Sequence, residues 1–192
     1  MCLLIGSSGV GKTLLLKRLQ NYPTKATTET DIAPMTIPTV GTNLTTVTLG
    51  RRDEITLREL GGSMVPIWHN YFKDAGSIIY MVDLTNRFQI AASCIQLLMV
   101  LSHADTQGLP VLLILNKTDL PTVMSHGELE SMFRLQDILT HCPKISVLEM
   151  SAKTGHGLDM IAKWILQHHK PAPPPSQAHH KPAPPPSQAP AE

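Results

Sequence analysis

Eight residues, Gly6-Ser7-Ser8-Gly9-Val10-Gly11-Lys12-Thr13, restrict this chain more than any other segment does. They satisfy G-x-x-x-x-G-K-[ST] completely, and the flanks are the ones that pattern needs. Residues 1–5 are an apolar run with strand character. Residues 12–20 are helix formers with leucines at 14, 15, 16 and 19. A strand that turns through glycines into a helix leaves backbone N–H groups converging on a polyphosphate, at the positive end of the helix dipole. Lys12 then reaches the outer phosphates, and the Thr13 hydroxyl is placed to ligate Mg²⁺.

The rest of the chain supplies a frame for such a loop. Residues 44–49 and 54–60 have strand patterning, with Gly50-Arg51-Arg52-Asp53 as a hairpin turn between them. Apolar strands are expected at 77–82, ending at Asp83, at 110–115, ending at Asn116, and at 145–149. Helices are expected at 88–103, near 128–135 and at 158–169. Residues 21–38 are rich in Thr and Pro and lack periodicity, which predicts a long loop. Six strands alternating with helices predict an α/β fold, a mostly parallel sheet with helices on both faces and one antiparallel edge strand. One domain at residues 1–169 accounts for this. Residues 170–192 are a different object: KPAPPPSQA from Lys170 recurs at Lys181, and a Pro-rich repeat of this kind is expected to be disordered. Its P-x-x-P spacings admit an SH3-type binder, though an inert repeat explains the composition as well.

The sequence also selects the base. Asn116-Lys117-Thr118-Asp119 follows the 110–115 strand, at the carboxyl-end rim where open α/β sheets bind ligands. A carboxylate at Asp119 accepts from both the N1–H and the N2 amine of guanine. Adenine offers neither donor, and an unpaired buried charge costs several kcal/mol or more, by order of magnitude. Lys117 packs its stem on the base, and Ser151-Ala152-Lys153 offers a backbone N–H to guanine O6. Two further segments are placed to sense a third phosphate: Thr39 with a second hydroxyl for Mg²⁺, and Glu59-Leu60-Gly61-Gly62 with the Gly62 N–H. Contacts that exist only with that phosphate make an order–disorder switch.

Composition excludes several alternatives. A formal charge of +1 gives no basic field for nucleic acid, and no apolar run is long enough to span a bilayer. Cys2, Cys94 and Cys142 are odd in number and far apart, so no disulfide framework is expected. His168-His169 and His179-His180 lack partners for a metal and are expected to be solvated. Arg51-Arg52 reads as a solvated turn.

Together these residues resemble the Ras-like small GTPases and, within them, the ADP-ribosylation factor (Arf/Arl) family. The marks are Thr36-Ile37-Pro38-Thr39-Val40-Gly41, Leu60-Gly61-Gly62, Pro66-Ile67-Trp68-His69-Asn70-Tyr71-Phe72 and Asn116-Lys117-Thr118-Asp119-Leu120-Pro121. The resemblance implies a P-loop NTPase with a Ras-like fold, GTP/GDP and Mg²⁺ as ligands, and effectors, an exchange factor and an activating protein as partners. The departures are as informative. Arf proteins usually read Trp-Asp-Val-Gly-Gly-Gln where this chain reads Arg58-Glu59-Leu60-Gly61-Gly62-Ser63. Glu59 adds a methylene to the carboxylate that holds Mg²⁺ through water. Ser63 replaces the glutamine that orients the attacking water. The family's three effector-surface aromatics fall at Thr42, Arg58 and Tyr71, and only Tyr71 keeps the ring. Trp68, Tyr71 and Phe72 are open between core packing and an interface.

The expectation is therefore a monomeric, Mg²⁺-dependent GTP switch whose hydrolysis is slow. It is expected to be soluble and cytoplasmic, without a direct lipid anchor because the chain starts inside its first strand and lacks a C-a-a-X end, and recruited to membranes by partners. The alternatives are an active GTPase that cycles with an activating protein, and a P-loop kinase acting on a small metabolite.

Overall fold

In a computed structural model describing residues 1–22, 35–50 and 53–169, the first strand is buried along its whole length and feeds two cores at once. Cys2 and Leu4 of β1 (Cys2–Ile5) pack on one side of the sheet, Leu3 and Ile5 on the other. The same division runs through β4 (Ser77–Asp83), where Ile79 and Met81 oppose Ile78, Tyr80 and Val82. In β5 (Val111–Asn116), Leu112 and Ile114 oppose Val111, Leu113 and Leu115. Burial on both faces is why these strands read as continuous apolar runs rather than alternating ones.

Six strands form one sheet in the order β2-β3-β1-β4-β5-β6, completed by β2 (Thr42–Leu49), β3 (Asp53–Leu60) and β6 (Ile145–Glu149). All neighbours are parallel except β2 and β3, an antiparallel hairpin in register from Thr42↔Leu60 to Leu49↔Asp53. β2 lies at the edge and alternates: Thr45, Val47 and Leu49 point inward, whereas Leu44 is exposed. Helices α1 (Lys12–Gln20) and α5 (Leu158–His168) cover one face. A 3₁₀ segment (Gly62–Asp74), α2 (Arg87–Ser102), α3 (His126–Phe133) and α4 (Leu135–His141) cover the other. The expected fold class is the one observed.

The differences from the sequence reading are local. The helix expected near 128–135 is two helices. α3 starts earlier because Ser125 caps it: the Ser125 hydroxyl accepts from the Glu128 N–H and the Glu128 carboxylate accepts from the Ser125 N–H. It stops at Arg134, whose left-handed backbone (φ 52°) breaks the hydrogen-bond ladder before α4. Trp68 and Phe72 are core residues, and Tyr71 is half-buried. His168 is not a solvated tail residue: its ring stacks on Trp164 at 4.3 Å within α5. All three cysteines are free thiols. Among the described residues no helix is long and apolar enough to cross a membrane. Residues 23–34 of the expected loop, Arg51-Arg52 and the expected tail from Lys170 lie outside the described residues.

The two-core arrangement predicts a contrast. Leu4→Ala, in the fully buried β1, should cost about 2–5 kcal/mol in urea unfolding. Leu44→Ala, at a position 57% exposed on the edge strand, should shift it by no more than about 0.5 kcal/mol.

Candidate functional site

Parallel strands β1, β3, β4, β5 and β6 deliver their carboxyl ends to one rim, and the segments that follow β1, β3, β5 and β6 there carry most of the candidate nucleotide residues. The chain leaves β1 through Gly6, whose φ of 144° suits only glycine. A Cβ there would fall 2.3 Å from the Met81 carbonyl oxygen. The loop then curls over Lys12, whose ammonium donates to the Gly6 and Ser7 carbonyls at 2.8 and 2.9 Å. Lys12 is only 5% exposed. Burial pulls its ammonium down to about 8, against the opposing pull of the Glu59 charge. A cation held this deep is stabilised by an anion placed over the loop.

Beneath the loop lies a polar cluster that the sequence reading missed. Ser7 donates to Gln96 Oε1 at 3.0 Å and lies 3.2 Å from Ser93 Oγ, while Tyr80 donates to the Ser93 carbonyl at 2.8 Å. These partners come from β4 and α2, so the loop is fastened from below as well as by its own turn. Val10 contributes through its carbonyl, and its side chain is core.

A second group surrounds Thr13. Its hydroxyl is 3.0 Å from the Thr39 hydroxyl and donates to Glu59 Oε1 at 2.5 Å, and Thr39 also donates to Glu59 Oε1, at 3.1 Å. Glu59 is buried, and its Oε2 has no hydrogen-bond partner among the described residues. Two hydroxyls and an incompletely satisfied carboxylate are hard oxygen donors, a set that fits Mg²⁺. Lys12, Thr13, Thr39, Glu59 and Gly62 wall a cleft between the loop and residues 36–39. Gly62 lies so close to the loop that a Cβ would meet the Ser8 nitrogen at 2.2 Å. The Gly61 N–H donates to the Gly41 carbonyl at 2.9 Å, and Trp68 Nε1 donates to the Gly61 carbonyl at 3.2 Å. Ser63 does not turn into this cleft; it is exposed at the start of the 3₁₀ segment.

The third group carries the Asn116-Lys117-Thr118-Asp119 motif. Asn116 donates through Nδ2 to the Val10 carbonyl at 2.7 Å and accepts at Oδ1 from the Ala152 N–H at 2.9 Å. Asp119 accepts from the Ser151 hydroxyl at 2.6 Å, with Lys153 Nζ 4.0 Å from its other oxygen. Lys117 adopts a left-handed backbone (φ 72°) and pairs with Asp83 at 2.6 Å. Asp83 and Arg18 were not singled out from the sequence. Arg18, from α1, donates to the Ala152 and Lys153 carbonyls at 3.3 and 2.5 Å, so the helix that follows the glycine-rich loop clamps the loop after β6. Asp83 had a visible signal, an acidic residue ending a buried strand. Arg18 had none.

Hydrogen bonds from a charged group are worth roughly 1.5 kcal/mol or more. Arg18→Met should therefore speed amide exchange at Ser151 and Gly155 by roughly tenfold relative to the β1 amides, read by hydrogen–deuterium exchange.

Sequence comparison places this geometry. Residues 1–169 match the profile described as the ADP-ribosylation factor family. Human ADP-ribosylation factor-like protein 16 is 44% identical over 173 residues, covering 88% of this chain and 86% of that protein. ADP-ribosylation factor-like protein 1 of Drosophila melanogaster is 30% identical over 165 residues, covering 85% of each chain. Among solved structures, the Arl6 (BBS3) small GTPase of Trypanosoma brucei, which carries the nucleotide analogue GppNp, superposes with a TM-score of 0.71 at 20% identity. That match covers 86% of this chain and 94% of the other. The chain belongs to the ADP-ribosylation factor family of small GTPases.

Proposed function

We propose that this chain is a GTP-binding switch that uses Mg²⁺ and hydrolyses GTP slowly on its own. The observation that carries the reading is Asn116, which binds the Val10 carbonyl of the phosphate loop and the Ala152 N–H of the base loop with one side chain. One side chain thereby ties the loop proposed for the phosphates to the loop proposed for the base, which supports a single ligand spanning both. Backbone N–H groups of Gly6, Ser7, Ser8, Gly9, Val10 and Gly11 and the start of α1 take the phosphates. Lys12 exchanges its carbonyl partners for phosphate oxygens. Thr13 and Thr39, with Glu59, hold Mg²⁺, which when bound neutralises charge on the outer phosphates.

Asp119, already accepting from Ser151, accepts from guanine N1–H and N2–H, while Lys117 covers the base and the backbone of residues 151–153 faces O6. The N–H of Gly62, beside Ser8, reports the third phosphate. Effectors, an exchange factor and an activating protein would act on the segments that this phosphate orders. Labelled GTP on the full chain should be displaced by GDP but not by a ~100-fold excess of ATP, since adenine strands the Asp119 carboxylate. Displacement by ATP would favour the small-molecule kinase instead.

Slow hydrolysis rests on Ser63, whose exposed, short side chain stands where the family carries its water-orienting glutamine. Groups that position a proton transfer are worth ~10²–10⁴-fold. Single-turnover hydrolysis by Ser63→Gln should therefore be ~10²-fold faster or more. An equal rate would show that the serine is not the limit, and would favour a chain that already cycles as an active GTPase.

A further inference from the structure

Glu59 is placed differently from an outlying support for the Thr13–Thr39 pair. Its Oε1 is 2.5 Å from Thr13 Oγ1 and 3.1 Å from Thr39 Oγ1, and those two oxygens are 3.0 Å apart. The three oxygens form a compact triangle with no room for a molecule between any pair. Mg²⁺ takes near-ideal octahedral geometry with bonds of ~2.0–2.1 Å, and neighbouring ligands of such an octahedron lie about 2.9 Å apart. Two edges of the triangle are close to that length, and the short edge is the Thr13-to-Glu59 hydrogen bond.

The electrostatics point the same way. Glu59 is 1% exposed, and its Oε2 is buried without a hydrogen-bond partner among the described residues. The nearby Lys12 ammonium acts on Glu59 through its charge but gives its hydrogen bonds to the Gly6 and Ser7 carbonyls, so the groups bonded to the carboxylate are two neutral hydroxyls. A buried carboxylate with an oxygen left unbonded favours a cation in direct contact. The side chain is supported for this: β3 is paired on both sides here, with Glu59 opposite Asn43 of β2 and Leu4 of β1.

Building on the GTP reading above, we propose that Glu59 binds Mg²⁺ directly, its carboxylate making one face of the octahedron with the Thr13 and Thr39 hydroxyls. Phosphate oxygens and water take the opposite face. An aspartate at this position falls short by one carbon–carbon bond and leaves a gap that a water fills. A direct carboxylate adds negative charge to the metal's inner shell. It also ties the end of β3 to the metal without an intervening solvent molecule.

The test counts metal-bound water. The full chain is loaded with Mn²⁺ and a non-hydrolysable GTP analogue, and coordinated water is read by electron–nuclear double resonance in ¹⁷O-labelled water. The wild-type chain should hold a single coordinated water, and Glu59→Asp should gain another. Glu59→Gln, which keeps the reach but not the charge, should weaken Mn²⁺ by roughly tenfold or more. Equal water counts in wild type and Glu59→Asp would overturn the proposal, and so would a second coordinated water in the wild type, a result that needs no variant to fold. Wild-type protein that retains Mn²⁺ and nucleotide but shows the extra water leaves the GTP reading intact and removes only the Glu59 ligand. Protein that retains no guanine nucleotide overturns both.

Discussion

The side-chain amide of Asn116 holds together three loops that are far apart in the sequence. It leaves the end of β5, gives its N–H to the loop after β1 and takes an N–H from the loop after β6. Both bonds are buried, so losing either would strand a polar group away from water and cost about 1–3 kcal/mol. Arg18 reinforces the arrangement from the opposite direction, because α1 grows out of the phosphate loop and returns a guanidinium to the carbonyls of Ala152 and Lys153. The rim is therefore cross-braced from two directions.

This bracing sits on a sheet with little freedom to adjust. Strands β1, β4 and β5 are buried on both faces, and a one-residue slip of any of them would exchange the contents of the two cores. Residues 35–40 lie outside the parallel core, have no regular structure and expose Met35, Ile37 and Val40. Thr39 lies in that stretch, so the hydroxyl cluster joins an irregular segment to the sheet.

What the sequence made legible was local. The phosphate loop, the strand ends at Asp83 and Asn116 and the edge hairpin each depend on neighbours within a few residues, and each is found where pattern places it. The capped start of α3 was also written locally, as Ser125-x-x-Glu128, and was overlooked. The left-handed Arg134 that splits α3 from α4 carries no glycine or asparagine to announce it. The bonds from Ser7 to Ser93 and from Arg18 to Ala152 join residues 86 and 134 positions apart. No spacing rule reaches that far, and a buried serine or arginine declares its partner only when the sheet is folded. The roles of Trp68 and Phe72 were undecided for a related reason: a 3₁₀ segment presents its side chains with a period that apolar spacing alone does not identify.

The outer face of the hairpin covers an aromatic ring with a charge. Arg58 spreads over the Tyr71 ring, 5.4 Å from its centroid, and reaches toward Asp74 at 3.7 Å. Leu44 lies beside it across the strand pair, exposed. Anything approaching Tyr71 meets a guanidinium already lying on the ring, and must either lift it away or answer it with acid. A partner that met this face would have to displace or pair with that guanidinium, so its approach would depend on ionic strength as well as on shape.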